Sequence, residues 1–215
     1  MGHSDNQLAY WDGIGATKTF THPLDRGWLT DLDPTARVLD YGCGYGRLMG
    51  ELSGYGFTDL TGVDLSPALV ERGRRLRPGL RFAVLEEPPH LPHPAASFEV
   101  VLLFAVLTCI PDAAAQRALV AELHRVLVPG GLLYVSDLLL QDDERNRARY
   151  ADHAERFGAP YGVFTTSDGA VCRHHELAHL RTLLAGFELV HERPLDVGTM
   201  NGHRAQAVQL LARRR

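Results

Sequence analysis

The chain has 215 residues, 45% of them hydrophobic and 22% charged, and carries a formal net charge of −4 at pH 7. That length suits one domain with a substantial buried core. The mild negative charge, without an extended basic tract, argues against a nucleic-acid partner, and no stretch approaches the roughly 18 apolar residues of a membrane span.

The middle of the chain alternates short apolar runs with amphipathic segments, which is typical of βαβ units built around a parallel sheet. The strands predicted in this part cover residues 37–41, 60–64, 80–85, 98–105 and 132–138. A helix is predicted to begin at Ser66, a capping residue that a proline follows at the first helical position. Another is predicted from Asp112 to Leu127, with Pro129-Gly130-Gly131 as its stop signal.

The pattern changes after Asp142. The elements predicted beyond that point are a charged helix over 142–157, a hairpin over 161–173, a helix over 174–184 and two strands over 187–195 and 205–211. The charged helix is interpreted as a solvated face; in the alternative interpretation, Arg147 or Arg149 contacts an anionic substrate.

The single predicted domain consists of a core with additions at both ends. Its parts are an N-terminal cap (1–34), a core (35–141), a lid insertion (142–175) and a C-terminal helix with two strands (176–215). Additions of this kind usually cover the open end of the sheet, where small molecules bind.

The three cysteines, Cys43, Cys109 and Cys172, are widely spaced and show neither a disulfide framework nor the spacing of metal ligands. We therefore predict no metal site, and we interpret Cys43 and Cys109 as small packing residues. The polar N-terminus has no apolar signal core, so we expect a cytoplasmic protein, monomeric or homodimeric, without a membrane partner.

A glycine-rich loop follows the first predicted strand, in the stretch VLDYGCGYGRL over residues 38–48. Glycines at alternate positions, Gly42, Gly44 and Gly46, let the backbone come close to a ligand and adopt conformations that other residues disfavour. Their G-x-G-x-G spacing differs from the G-x-G-x-x-G that cradles a pyrophosphate, so it favours a ligand without one. Asp40, at the tip of the strand, is placed to meet a cation.

A second carboxylate, Asp64, ends the second predicted strand, 24 residues after Asp40. An acidic residue at this point can accept hydrogen bonds from both ribose hydroxyls of an adenosine. Asp64 could instead cap the helix that follows, but Ser66 already fills that position. The two carboxylates and the loop together predict a nucleoside site at the carboxyl end of the sheet.

Four segments in this order resemble the class I S-adenosyl-L-methionine (SAM)-dependent methyltransferases, over roughly residues 35–140. The glycine-rich stretch resembles the SAM-binding loop of that family, and TGVDLSPALVERGR, at 61–74, resembles its ribose-binding turn. Leu91-Pro92 with ASFEVV at 96–101 is similar to the family's approach to the fourth strand, and LHRVLVPGG at 123–131 is similar to its signature before the fifth. The resemblance implies an α/β fold with a doubly wound, Rossmann-like, mostly parallel sheet of seven strands, one of them reversed at the edge.

The resemblance also implies roles for single residues. Asp40 would hold the amino group of the methionine part of SAM, and Asp64 would bind the ribose. The other positions at the cofactor would be Gly42, Cys43, Gly44 and Gly46 in the loop, Leu65 and Glu86 or Glu87 at the adenine, and Phe104 and Ala105 after the fourth strand. Separately, the pair Tyr10-Trp11 either packs within an N-terminal helix or closes over the sulfonium, whose charge favours an aromatic face.

Three histidines, His22, His174 and His175, are the candidates for a catalytic base. An imidazole titrates near neutral pH, and no other proton acceptor of this kind is expected near the acceptor pocket. Each of the three is also explained by a surface or structural role. Where many relatives carry Leu-His-His, this chain reads Leu107-Thr108-Cys109, so no histidine is supplied there.

These observations predict an enzyme that transfers the methyl group of SAM to a small natural-product or amino-acid-like molecule by in-line displacement. Two alternatives stay open. A SAM lyase or cyclase, such as an azetidine-2-carboxylate synthase, would carry the same cofactor signature and release methylthioadenosine. A non-catalytic SAM-binding protein would leave the cofactor unchanged.

Overall fold

In a computed structural model, the protein is described from residue 3 to residue 215, with side chains from residue 8. One sheet contains the strands β1 (Val38–Tyr41), β2 (Leu60–Asp64), β3 (Arg81–Val84), β4 (Phe98–Phe104), β5 (Leu127–Leu138), β8 (Phe187–Gly198) and β9 (Arg204–Arg214). Their order in the sheet is β3-β2-β1-β4-β5-β9-β8. A separate hairpin consists of β6 (Val163–Thr165) and β7 (Val171–Arg173).

The seven-stranded, mostly parallel α/β sheet is as predicted, with one difference at its edge. Strands β1 to β5 are parallel, and β9 is antiparallel to both of its neighbours, β5 and β8. The reversed strand therefore lies one position in from the edge. The edge strand is β8, because it forms a long hairpin with β9 that pairs Phe187 with Arg214 and Gly198 with Arg204.

Six α-helices flank the strands within the described residues. They are α1 (His3–Asp12), α2 (Arg47–Gly54), α3 (Pro67–Leu76), α4 (Ala113–Val126), α5 (Glu144–Phe157) and α6 (Leu177–Leu183). The predicted cap of α3 is present, since the Ser66 hydroxyl accepts a hydrogen bond from the Leu69 N–H (3.1 Å). The helix α4 is also capped, because the Asp112 carboxylate accepts one from the Ala115 N–H (2.7 Å). From residue 3 onward, no helix is both long enough and apolar enough to cross a bilayer.

The stop signal predicted at Pro129-Gly130-Gly131 is wrong, since α4 ends at Val126 and β5 begins at the next residue. Leu127 is fully buried and pairs with Phe98 of β4, so the chain enters the sheet before it reaches the proline. The register of the two strands then shifts between Phe98 and Val100. Gly130 adopts φ +78°, a conformation that favours glycine. The three residues therefore lie within β5 as an irregularity and do not end the helix.

The hydrophobic core lies on both faces of the sheet, and β1 is buried along its whole length. On one face Leu39 packs in a cluster with Leu123 of α4, and on the other Val38 packs in a cluster with Met49 of α2. Burial on both faces is typical of a parallel strand between two layers of helices. The carboxyl ends of β1, β2, β4 and β5 consequently share one edge of the sheet, where loops can build a site.

His174 and His175 were expected to open a helix, but α6 begins only at Leu177. The His175 N–H donates to the carbonyl of Leu138 (3.0 Å), and residue 175 bridges to Leu139 beside the end of β5. The His174 N–H donates to the carbonyl of Gly162 (2.9 Å). These tertiary hydrogen bonds hold both histidines outside the helix and override the local helical pattern.

Candidate active site

A cavity of about 570 Å³ lies at the carboxyl ends of the central strands. Its core wall is formed by the strand tips, the segments that follow them and the N-terminal segment, with Trp11, Phe20, His22, Asp40, Gly42, Cys43, Arg47, Asp64, Leu65, Leu69, Phe104 and Ala105. Its lid wall is formed by residues 141–174 and the β8–β9 loop, with Gln141, Arg145, Asn146, Arg149, Phe164, Thr165, Thr166, Ser167, His174, Thr199, Met200, Asn201 and His203. That volume is typical of sites for small molecules.

Asp40 on the core wall is 2% exposed, and its Oδ2 atom has no hydrogen-bond partner. Burial raises the pKa of Asp40 to about 7, although the nearby charge of Arg47 opposes this shift. A buried carboxylate oxygen without a donor destabilises the ionised form unless a ligand supplies one. The geometry therefore suits a ligand that brings an ammonium group to Asp40.

Arg47, the first residue of α2, is a candidate that the sequence analysis missed. Its guanidinium pairs with Glu51 (2.6 Å) and donates to the carbonyl oxygen of His22, while its buried Nε has no partner. Since Arg47 and Asp40 line the same wall, this wall offers opposite charges to a zwitterion. The signal was available: an arginine stands directly after the last glycine of the loop, at the start of a helix.

Asp64 is held by the backbone of its surroundings. The Gly44 N–H donates to Oδ2 (2.8 Å) and the Ser66 N–H donates to Oδ1 (2.9 Å). Burial raises the pKa of Asp64, and these hydrogen bonds oppose the shift by favouring the carboxylate. The carboxylate is thus fixed in orientation beside Leu65 on the core wall, and each oxygen keeps a lone pair for a hydroxyl.

The three glycines of the loop differ in their structural roles. Gly44 has φ +53°, and a Cβ atom built on it would lie 2.7 Å from the ring of Phe20. Gly46, at φ +76°, would place a Cβ atom 2.5 Å from the ring of Phe82. Only Gly42 of the three lines the cavity. Gly44 and Gly46 therefore determine the shape and packing of the loop. Any residue with a side chain would be strained at either position.

Cys43 lines the cavity but is positioned as a packing residue, because a Cβ atom on Gly62 would lie only 2.8 Å from its sulfur. Burial raises the pKa of the Cys43 thiol well above its usual value. A thiol that stays protonated is a poor nucleophile and a poor metal ligand. Among the described residues, no three His, Cys, Asp or Glu side chains are grouped so that they could hold a metal ion.

The two aromatic residues Tyr10 and Trp11 have different positions relative to the cavity. Trp11 lines the cavity, with its ring centroid 6.2 Å from that of Phe20. Tyr10 does not line it; its hydroxyl donates to Asp168 in the β6–β7 turn (3.1 Å). The prediction of a cavity contact therefore needs correction for Tyr10, whose ring instead packs the N-terminal helix against the hairpin.

His22 lines the core wall, with its Nδ1 atom 2.9 Å from the Ser136 hydroxyl. Burial, with a smaller contribution from Arg47, lowers the pKa of His22 to about 4, so the ring is neutral at pH 7. If Nδ1 donates to Ser136, Nε2 carries a lone pair and can accept a proton; the other tautomer reverses this.

His174 lines the lid wall and is fixed differently. The Tyr150 hydroxyl accepts from the Gln141 N–H (3.3 Å) and is also hydrogen-bonded to the Arg149 side chain, which has only donors, so its own proton is left for His174 Nδ1, 2.5 Å away. With Nδ1 as acceptor, Nε2 carries the hydrogen of the neutral ring. Burial and the charges of Arg149 and Arg145 lower the pKa of His174 to about 3. This histidine is therefore a hydrogen-bond donor and not a base.

The predictions for His175, Glu86 and Glu87 are wrong as to position, since none of the three lines the cavity. His175 is 1% exposed and lies beside Asp137, with Nε2 3.8 Å from Oδ1 of that residue. Glu86 and Glu87 are exposed, because the chain leaves the core after the buried Leu85 and is next buried at Leu91.

The protein matches known families and structures. Residues 39–135 match the family described as a methyltransferase domain. A 2-methyl-6-phytyl-1,4-hydroquinone methyltransferase of Synechocystis sp. is 35% identical over 152 residues, 67% of this chain and 46% of the relative. A carboxy-S-adenosyl-L-methionine synthase of Chromohalobacter salexigens is 35% identical over 130 residues, 54% of this chain and 47% of the relative. The chain thus spans about half the length of these curated relatives.

A solved structure supports the fold. It is that of a SAM-dependent methyltransferase from Methanosarcina mazei, with a TM-score of 0.83 and 23% sequence identity. The match covers 90% of this chain and 99% of the other. The arrangement of the sheet and its helices is therefore shared.

The residues of the core wall fit SAM, which joins adenosine to methionine through a positively charged sulfur. The unpartnered oxygen of Asp40 suits the ammonium group, and the fixed carboxylate of Asp64 suits the ribose hydroxyls. Trp11 and Phe20 offer aromatic faces, which a sulfonium favours. This fit, the sheet order and the match over 39–135 agree: residues 39–135 form a methyltransferase domain of the class I, SAM-dependent superfamily.

Proposed function

We propose that the protein transfers the methyl group of SAM to a small molecule held between the core wall and the lid wall. The observation that carries this proposal is the buried, unpartnered Asp40 oxygen in a cavity of about 570 Å³ that the additions to the core cover. A cavity of this size suits a small acceptor better than a macromolecule. The small hydroquinone in the name of the Synechocystis relative agrees with that class of acceptor.

The core wall would bind both the methionine part and the adenosine part of SAM. Asp40 and Arg47 would hold the ammonium and carboxylate groups, and Asp64 would hold the ribose. Leu65 and Leu69 lie on the same wall as Asp64 and would pack against the adenine. The carboxylates act as fixed acceptors, because the fold has already desolvated and oriented them.

When bound, SAM supplies an electrophilic methyl group, which leaves its sulfur for a nucleophilic atom of the acceptor and so yields adenosylhomocysteine. The protein then needs little covalent chemistry of its own. Its contribution is to align the acceptor and exclude water, which lowers a barrier of this type by several kcal/mol. The lid wall supplies the surface against which the acceptor would be aligned.

His22 would accept the acceptor proton. It is neutral, lies on the core wall and has a tautomer with a free Nε2 lone pair, whereas His174 is fixed as a donor. We expect His22→Gln to lower turnover at least tenfold while SAM affinity changes little. Unchanged turnover in this variant would remove His22 from the reaction. His90→Gln, at an exposed position that does not line the cavity, is the matched control and should retain full turnover.

The decisive experiment follows the nucleosides by chromatography and mass, first with SAM alone and then with a panel of small acceptors. Methyl transfer predicts intact SAM without an acceptor and adenosylhomocysteine with one. Catalytic release of methylthioadenosine from SAM alone would contradict the proposal and assign a lyase or cyclase instead. Bound SAM that no acceptor consumes would contradict it in favour of a binding protein.

A further inference from the structure

The charges that line the cavity are divided between its two walls. Both carboxylates, Asp40 and Asp64, belong to the core wall. Of the described residues that line the cavity on the lid wall, Arg145 and Arg149 are charged and none is a carboxylate. These arginines are four positions apart on α5, so they lie on one face of the helix, one turn from each other. The lid wall is therefore cationic.

Arg149 is half-buried, and it forms none of the ion pairs found among the described residues. Its buried Nε atom also has no hydrogen-bond partner. Two other cations near the lid are paired, Lys18 with Asp168 (2.6 Å) and Arg156 with Asp152 (3.3 Å), and Arg173 donates to the carbonyl of Pro111 (3.0 Å). A desolvated guanidinium without a counter-ion destabilises the ligand-free protein, and an anionic ligand would relieve this.

Arg145 contributes less, because it is exposed and shares its surroundings with Asp143. The Asp143 carboxylate is itself engaged as the cap of α5, where it accepts hydrogen bonds from the Asn146 backbone N–H (3.1 Å) and side-chain amide. It therefore does not reach across the helix to neutralise Arg149. The unpaired charge of the lid wall is centred on Arg149.

Phe164 brings Arg149 together with a second donor. The Arg149 guanidinium carbon lies 3.4 Å from the centroid of the Phe164 ring, which supports it as a stacked cation. The His174 ring meets the same phenyl group edge-on, with centroids 4.7 Å apart. Since His174 presents an Nε2–H, the guanidinium and the imidazole are two donors that contact the same ring and line the same wall.

We infer that Arg149 and His174 form a subsite on the lid wall that binds a carboxylate group of the methyl acceptor. This inference rests on the proposed methyl transfer and names the class of molecule that undergoes it. A carboxylate matches the planar fork of a guanidinium with two parallel hydrogen bonds. The acceptor is thus an organic acid, bound by its acid group to the lid wall.

Calorimetric titration of the protein saturated with adenosylhomocysteine tests the subsite. The probes are benzoate, its neutral isostere benzamide, and phenyl phosphate. We expect benzoate to bind at least tenfold more tightly than benzamide, a difference of about 1.4 kcal/mol. Arg149→Gln should abolish that preference, and Arg149→Lys, which keeps the charge but not the fork, should retain part of it. Arg156→Gln, at an exposed position of the same helix, is the matched control and should behave as the unmodified chain.

Equal binding of benzoate and benzamide, or no measurable binding of either, overturns the inference. So does a preference for benzoate that survives in Arg149→Gln. Tighter binding of phenyl phosphate would overturn the carboxylate assignment in favour of a phosphoryl group. Adenosylhomocysteine affinity, measured in each variant, shows whether the fold is intact. Failure of methyl transfer itself appears separately, as absence of adenosylhomocysteine formation from SAM with every acceptor, whatever the probe preference.

Discussion

Replacing Asp40 by asparagine separates the binding role of this carboxylate from its effect on stability. Burial raises the pKa of Asp40 from 3.8 to about 7, so between those values the folded chain keeps a proton that the unfolded chain has released. The free energy of unfolding therefore falls as the pH rises through that interval. From pH 5 to pH 8 the two pKa values give a loss of about 3 kcal/mol, at about 1.4 kcal/mol per unit.

Asparagine does not ionise, so cofactor-free Asp40→Asn should lack this loss while it binds SAM more weakly. A hydrogen bond between charged groups contributes about 1.5–3 kcal/mol, which corresponds to roughly 10- to 150-fold in SAM affinity. Urea unfolding at pH 5 and pH 8 measures the stability, and calorimetric titration with SAM measures the affinity.

Asp137→Asn is the matched control for this experiment. Burial raises the pKa of Asp137 to about 7 as well, against the opposing effect of its backbone hydrogen bonds, but Asp137 does not line the cavity. Its variant should reproduce the change in pH dependence and keep the SAM affinity. The reasoning is refuted if Asp40→Asn binds SAM as tightly as the unmodified chain, or if its unfolding free energy keeps the original slope between pH 5 and pH 8.

Three further outcomes are expected. Because burial raises the pKa of each free thiol, Cys43, Cys109 and Cys172 should resist a disulfide reagent at pH 8 in the native protein and all react after unfolding; one fast native thiol would contradict this. Ser66→Ala removes the cap of α3 and should lower the free energy of unfolding by about 1 kcal/mol in urea. Lys18→Gln should destabilise by about 1 kcal/mol and speed proteolysis of the β6–β7 hairpin, whereas equal cleavage rates would argue against a fastening role.

The sheet and the core wall could be predicted because their signals are local. The pattern of residues 38–48 predicts a strand, a glycine-rich loop and the start of a helix, in that order. The structure places Asp40 and Asp64, which end the first two strands or lie near their ends, on one wall of the cavity. The caps Ser66 and Asp112 are equally local, since their partners lie three residues away.

The other site predictions depended on contacts between residues that are far apart in the sequence, and a local sequence pattern does not reveal such contacts. His174 and His175 precede a run that is helical in pattern, but hydrogen bonds to Gly162 and Leu138 hold them outside the helix. Their protonation depends on burial, which no spacing of histidines reveals. The single-residue shift that separates the buried Leu85 from the exposed Glu86 likewise follows from where β3 ends in the sheet.

One carboxylate joins three distant segments that border the cavity. Asp168, in the β6–β7 turn, accepts hydrogen bonds from Tyr10 (3.1 Å), Lys18 (2.6 Å) and the Asn201 amide of the β8–β9 loop (3.3 Å). Burial alone would raise the pKa of Asp168, but these donors, with Thr166, lower it far below its usual value. The group stays ionised, so its contribution to stability is present above the unfolded pKa and is lost only in strong acid. The same carboxylate therefore fastens the N-terminal cap, the hairpin and the β8–β9 loop to one another beside the cavity.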